Sequence, residues 1–190
     1  MGWLKRSPPR RAIMKIMTKP KMPCDIHEQA LKDVISLNNT IEILKSFAKE
    51  GLVICLNPKE KIGKLYGLTK KGKVIRNKIY PHEPSYQDIP NEILKDYVYV
   101  VRGKHRRAII KVMSNRKTPS EIHKDVIKSS GNIPPDSINY VKLSLNSTSD
   151  TLRGFRKEGI AVCINKEKRV GRLYELTKKG RIMREQVLRE

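Results

Sequence analysis

Two stretches of this 190-residue sequence gather amide, hydroxyl and cationic side chains at helical spacing. One holds Asn38, Asn39, Ile41, Lys45 and Lys49; the other holds Asn146, Ser147, Ser149, Arg153, Arg156 and Lys157. An asparagine can pair with an adenine edge, and a lysine or arginine with guanine or phosphate, so these residue types suit contact with nucleic acid. Glu42 and Asp150 cut the other way, because a carboxylate near phosphates lowers affinity unless it accepts from cytosine or pairs with the cation three residues on. The plainer reading is an ordinary solvated helix face.

Other cations stand in clusters. Lys59, Lys61 and Lys64, and again Lys166, Lys168, Arg169 and Arg172, lie between pairs of β-prone runs, where a basic tip can touch a nucleic-acid backbone. Arg10, Arg11, Arg106 and Arg107 precede or open helical runs and are candidate phosphate contacts, as are His27 and His123. Cys24 and His27 spell Cys-x-x-His, a spacing found in zinc sites, but the position equivalent to Cys24 holds Ser120, and no metal or cofactor is expected. With four histidines, scattered carboxylates and no Gly-rich phosphate loop, no catalytic set emerges and no enzyme is expected.

The elements that must position these residues occur twice. Arg10-Arg11-Ala12-Ile13-Met14-Lys15-Ile16-Met17 returns as Arg106-Arg107-Ala108-Ile109-Ile110-Lys111-Val112-Met113, an offset of 96. Beyond that the offset is 108: Ser36-Leu37-Asn38 recurs as Ser144-Leu145-Asn146, and Lys49-Glu50-Gly51 as Lys157-Glu158-Gly159. The second copy therefore carries 12 further residues between Ser130 and Ser144, expected as an exposed loop around Gly131, Pro134 and Pro135. Two domains follow, 1–80 and 91–190, joined by a stretch at 81–90 whose three prolines read as a stiff, extended connector. Residues 1–80 hold 18 basic and 6 acidic residues, 81–103 hold 2 and 4, and 104–190 hold 21 and 9, so each copy is basic in its own right.

Within the first copy, Ala12, Ile13, Ile16 and Met17 predict one helix, and Pro23 opens a second with Ile26 and Ala30 inward. Thr118-Pro119-Ser120-Glu121 is the stronger start in the second copy. Ser36 or Asn38 can cap a third helix with Thr40, Leu44, Phe47 and Ala48 on its inner face, ended by Gly51 in a left-handed position. Leu52–Leu56 and Lys64–Thr69 predict a hairpin, and Thr69 caps a last helix through Val74, Ile75 and Ile79. After the connector, Asn91 can cap a helix through Ile93, Leu94, Tyr97 and Val98.

Behind each hairpin stand Tyr66-Gly67-Leu68-Thr69-Lys70-Lys71-Gly72 and Tyr174-Glu175-Leu176-Thr177-Lys178-Lys179-Gly180. In this order of elements and this closing segment the chain resembles archaeal winged helix-turn-helix transcriptional regulators of the MarR and ArsR type, over roughly residues 3–79 and 91–190. The resemblance implies a mainly α fold with small β-hairpin wings (α+β), as two tandem winged helix-turn-helix domains. It also implies a third helix in the major groove and a wing on the flanking backbone or minor groove. The chain departs from that pattern where the family often presents Arg or Gln: it offers Asn39, Ile41 and Glu42, or Ser147, Ser149 and Asp150.

A formal charge of +22 calls for a polyanionic partner, and at 5% aromatic residues the chain lacks the stacking platform of single-strand binders. The expected partner is double-stranded DNA, bound by a transcriptional regulator whose single chain replaces a homodimer or itself pairs. The rivals are a low-specificity architectural protein of the nucleoid and a module that docks on proteins of the transcription or replication machinery. No long apolar run, no signal-peptide pattern and three cysteines, an odd number, lead to an expectation of no membrane and of a cytoplasmic, nucleoid-associated location. Arg156 stands where the first copy has Ala48, and Arg169 where it has Lys61, so the second copy is expected to discriminate sequence more.

Overall fold

The computed structural model describes residues 2–130 and 142–188, in two compact units, Met1–Ile89 and Pro90–Glu190. In the first, α1 (Gly2–Lys5), α2 (Pro8–Ile16), α3 (Pro23–Ala30) and α4 (Leu37–Lys49) precede β1 (Val53–Cys55), β2 (Tyr66–Leu68) and α5 (Lys70–Ile79). In the second, α6 (Asn91–Val101), α7 (Lys104–Val112), α8 (Pro119–Ser130) and α9 (Leu145–Lys157) precede β3 (Ala161–Cys163), β4 (Tyr174–Leu176) and α10 (Lys178–Leu188). The described residues are thus mainly helical, with two small antiparallel hairpins. The loop expected around Gly131 to Pro135 lies outside them.

Backbone chemistry sets the element ends in the same way in both units. The Ser36 and Ser144 hydroxyls accept from the N–H groups of Asn39 and Ser147, satisfying orphan donors at the starts of α4 and α9. Asn38 is therefore not a cap but an exposed residue of the first turn. Gly51 and Gly159 follow the ends of these helices at φ of 68° and 67°, where a β-carbon would be strained. Thr69 and Thr177 accept from the N–H groups of Gly72 and Gly180 while donating to the carbonyls of Gly51 and Gly159, which fastens the last helix to the turn before the hairpin. Thr118 and Glu121 form a reciprocal capping box on α8. Asn91, by contrast, does not cap α6; Pro90 holds that position without a side-chain bond.

Helix α4 buries Thr40, Leu44 and Phe47 at i, i+4 and i+7, and α9 buries Thr148, Leu152 and Phe155. Ala48, expected inward, is exposed, and Val74 on α5 is 68% exposed. These stripes close on Ile13, Met14, Met17 and Ile26 in the first unit. Each fully buried Leu or Phe contributes about 1.5–3 kcal/mol. Arg76 on α5, with no exposed surface, donates to the carbonyls of Lys15 (3.0 Å) and Pro84 (2.7 Å); Arg184 on α10 donates to that of Lys111 (3.0 Å). Lys15 and Lys111 are equivalent, so α5 is pinned to α2 and α10 to α7 by equivalent arginines.

The proline-rich stretch is not a free connector. Up to Ile89 it packs on the first unit, with Gln87 donating its N–H to the Thr18 carbonyl at 2.7 Å. The Tyr86 hydroxyl accepts from the Leu68 N–H at 3.0 Å, and Asp88 pairs with Lys73 at 2.6 Å. Glu83 pairs with Lys15. The prolines suit an extended path, but the polar and aromatic residues between them supply the anchors.

Candidate nucleic-acid interface

The outward side of α4 carries Asn38, Glu42, Lys45 and Lys49, all exposed, at i, i+4, i+7 and i+11. These positions form one stripe about 16 Å long at 1.5 Å per residue. On α9 the same stripe reads Asn146, Asp150, Arg153 and Lys157, also exposed. Amide, acid, base, base is thus presented twice, on helices held by the same cap and the same core triplet. Lys45 pairs with Glu42 at 2.7 Å and Arg153 with Asp150 at 2.9 Å, and the hydrogen bond to Glu42 holds the Lys45 ammonium above its ordinary pKa. Both pairs are solvent-exposed, so they hold the cations only weakly against a competing anion.

The remaining helix candidates divide. Asn39 and Arg156 are exposed, whereas Ile41 and Ser149 are half-buried beside the stripe. Ser147 has its hydroxyl 2.9 Å from that of the cap Ser144, so it is already engaged.

Each hairpin has the same built tip. Asn57 accepts from the Leu65 N–H and donates to the Gly63 carbonyl; Asn165 does so with Leu173 and Gly171. Gly63 and Gly171 both take φ of 67°, which only glycine adopts without strain. Lys59, Lys61, Lys64, Lys166, Lys168, Arg169 and Arg172 are all exposed, and among the described residues none of the seven forms an ion pair. Arg172 donates to the Lys168 carbonyl. Ile62 and Val170, at the same tip position, are 80% and 86% exposed.

Several candidate phosphate contacts have partners within the fold. The Arg10 guanidinium lies 4.0 Å over the Trp3 ring and that of Arg106 lies 4.1 Å over Tyr99. Trp3 and Tyr99 in turn pack on Phe47 and Phe155, so each unit closes its N-terminal side with the same arginine–aromatic–phenylalanine stack. The clue was present in the sequence, since an aromatic stands seven residues before the arginine in both copies. Arg107 is half-buried and Arg11 is exposed. His27 Nε2 bonds the Ile35 carbonyl at 2.8 Å and His123 Nε2 the Leu143 carbonyl at 3.0 Å, so both histidines brace the turn into the stripe helix. Cys24 lies 4.0 Å from Asp25, and no cluster of three or more metal-ligating side chains occurs among the described residues. No helix among them is long and apolar enough to cross a membrane.

No family model, no curated protein and no solved structure matches the chain.

Proposed function

We propose that the chain binds double-stranded DNA as two tandem winged helix-turn-helix domains, with α4 and α9 in the major groove and the hairpins as wings on the backbone or minor groove. The observation that carries this reading is the doubled stripe. Asn38/Asn146, Glu42/Asp150, Lys45/Arg153 and Lys49/Lys157 keep their chemistry while neighbouring surface positions change, as at Ala48 and Arg156. A solvated helix face has no need of that agreement. Asparagine offers a bidentate pair to adenine, the carboxylates accept from cytosine, and the cations reach guanine or phosphate.

Seven exposed wing cations without ion pairs supply the non-specific attraction. With about 6 to 10 phosphates neutralised, log K against log salt falls with a slope of roughly −5 to −9 on duplex DNA. Binding that is flat between low and moderate salt removes the proposal. Role in transcription is read from specificity: a regulator prefers selected over scrambled duplex by about 10³-fold or more. The architectural alternative is favoured by one observation, the exposed aliphatic tips Ile62 and Val170, because apolar wedges of that kind unstack base steps and bend DNA with little sequence preference. A ratio near unity with a bent duplex selects it.

A further inference from the structure

We infer that the second unit carries a docking groove for an extended acidic segment of a partner protein, a site whose counterpart in the first unit is already filled by residues 84–89. The groove has a volume of about 430 Å³ and is lined by Ser114, Arg116, Glu175, Leu176 and Arg181, with Met113 at its side. By the offsets of 96 and 108, these positions correspond to Thr18, Pro20, Gly67, Leu68, Lys73 and Met17. In the first unit the same positions receive the stretch after α5: the Thr18 carbonyl takes the Gln87 N–H, the Leu68 N–H takes the Tyr86 hydroxyl, and Lys73 takes the Asp88 carboxylate.

The second unit keeps the receiving groups, and none of its described residues occupies them. On the outer edge of β4, Tyr174 exchanges backbone bonds with Lys117, as Tyr66 does with Lys21. The next outward donor, the Leu176 N–H, is the counterpart of the one that Tyr86 satisfies, and it has no partner among the described residues although Leu176 is only 4% exposed. Such a donor favours an incoming acceptor. Arg181 and Arg116 flank the groove and share Glu175, at 3.3 and 2.9 Å, which leaves one cationic charge in excess where the first unit binds Asp88. Charge therefore selects an acidic occupant, and the Ser114 carbonyl, counterpart of the Thr18 carbonyl that takes the Gln87 N–H, selects an extended backbone.

One difference defines the occupant further. A β-carbon at Gly67 would stand 2.8 Å from the Tyr86 hydroxyl, and Glu175 places a real β-carbon there. The tyrosine slot is thus closed in the second unit, and a short polar side chain must reach the Leu176 N–H in its place.

The test uses the full chain and a synthetic decapeptide with the sequence of residues 81–90 carrying Tyr86→Ser. In a ¹H–¹⁵N titration the peptide should shift the Leu176 and Ser114 amides, with a dissociation constant that rises at least fivefold in Arg181→Ala and is largely restored in Arg181→Lys. Unchanged spectra at several millimolar peptide overturn the inference, as do equal shifts from a scrambled peptide of the same charge. If the Leu176 amide instead moves with protein concentration alone, the occupant is a second copy; if it moves only with a DNA duplex, it is backbone phosphate. Either result refutes the assignment to a partner's acidic segment.

Discussion

Single side chains hold this fold at points where a backbone group would otherwise be left unpaired. Arg76 is the clearest, a buried cation bonded to two main-chain carbonyls. Burial lowers its pKa, yet an arginine stays charged, so Arg76→Ala leaves the Lys15 and Pro84 carbonyls without their donor and opens a cavity. Its expected cost is about 3 kcal/mol in urea unfolding. Glu121 acts at the surface: its bonds from the Thr118 N–H and hydroxyl hold its carboxyl below the ordinary glutamate pKa. With the folded pKa depressed, the stabilisation is complete above the unfolded value of about 4.3 and is lost as pH falls through the lower folded one. Wild type should therefore melt above Glu121→Gln at pH 7, and the two melting curves should converge on acidification; a constant gap would show that the charge is not involved. The Thr118–Glu121 box was legible because its partners are three residues apart, whereas the Arg76 bond to Lys15 spans 61 residues and leaves no local signature.

At the scale of elements, helices α4 and α9 could be read from apolar spacing, cap and terminal glycine, because these are properties of neighbouring residues. The stretch after α5 could not. Prolines report an extended backbone but say nothing of what lies beside it, and the space that admits Tyr86 is created by Gly67 on a strand far along the chain. Burial pushes the Tyr86 phenol pKa well up, so it is neutral and free to accept from Leu68 across the working pH range. Tyr86→Phe keeps the ring and removes the acceptor, leaving a buried N–H alone; the expected loss is about 1–3 kcal/mol in thermal or urea unfolding. A variant as stable as wild type would mean that water replaces the hydroxyl. The same limit applied to the candidate interface: the stripe residues were found as surface polar types, but the ring partners of Arg10 and Arg106 and the carbonyl partners of His27 and His123 could not be read, because they belong to other elements.

For the whole molecule, the two units share one scaffold and differ in the cations displayed on it. Lys45 and Lys61 correspond to Arg153 and Arg169, and Arg156 replaces an alanine. Guanidinium groups bridge a guanine edge or enter a narrow minor groove, where an ammonium acts as a point charge. Competition titrations should then show that Arg153→Ala with Arg169→Ala erodes preference for a selected over a scrambled duplex by about tenfold or more, at ~1–3 kcal/mol per lost base contact. Lys45→Ala with Lys61→Ala should weaken both duplexes alike. Equal loss of preference in both double variants would show that the units contribute equivalently.

The stretch that fills the first unit's groove is tethered only a few residues beyond the end of α5 at Ile79. A short tether holds its ligand at an effective concentration in the millimolar range or above, so competing peptide at micromolar levels leaves that groove shut. The second unit has no such intramolecular ligand among its described residues. Occupied, it would gain stability as RT ln(1 + [L]/Kd), which makes its melting temperature a function of what surrounds it, while the first unit's melting temperature stays fixed. A duplicated fold would then behave as an internal standard joined to a sensor, the difference between their two transitions reporting how much of the partner is present.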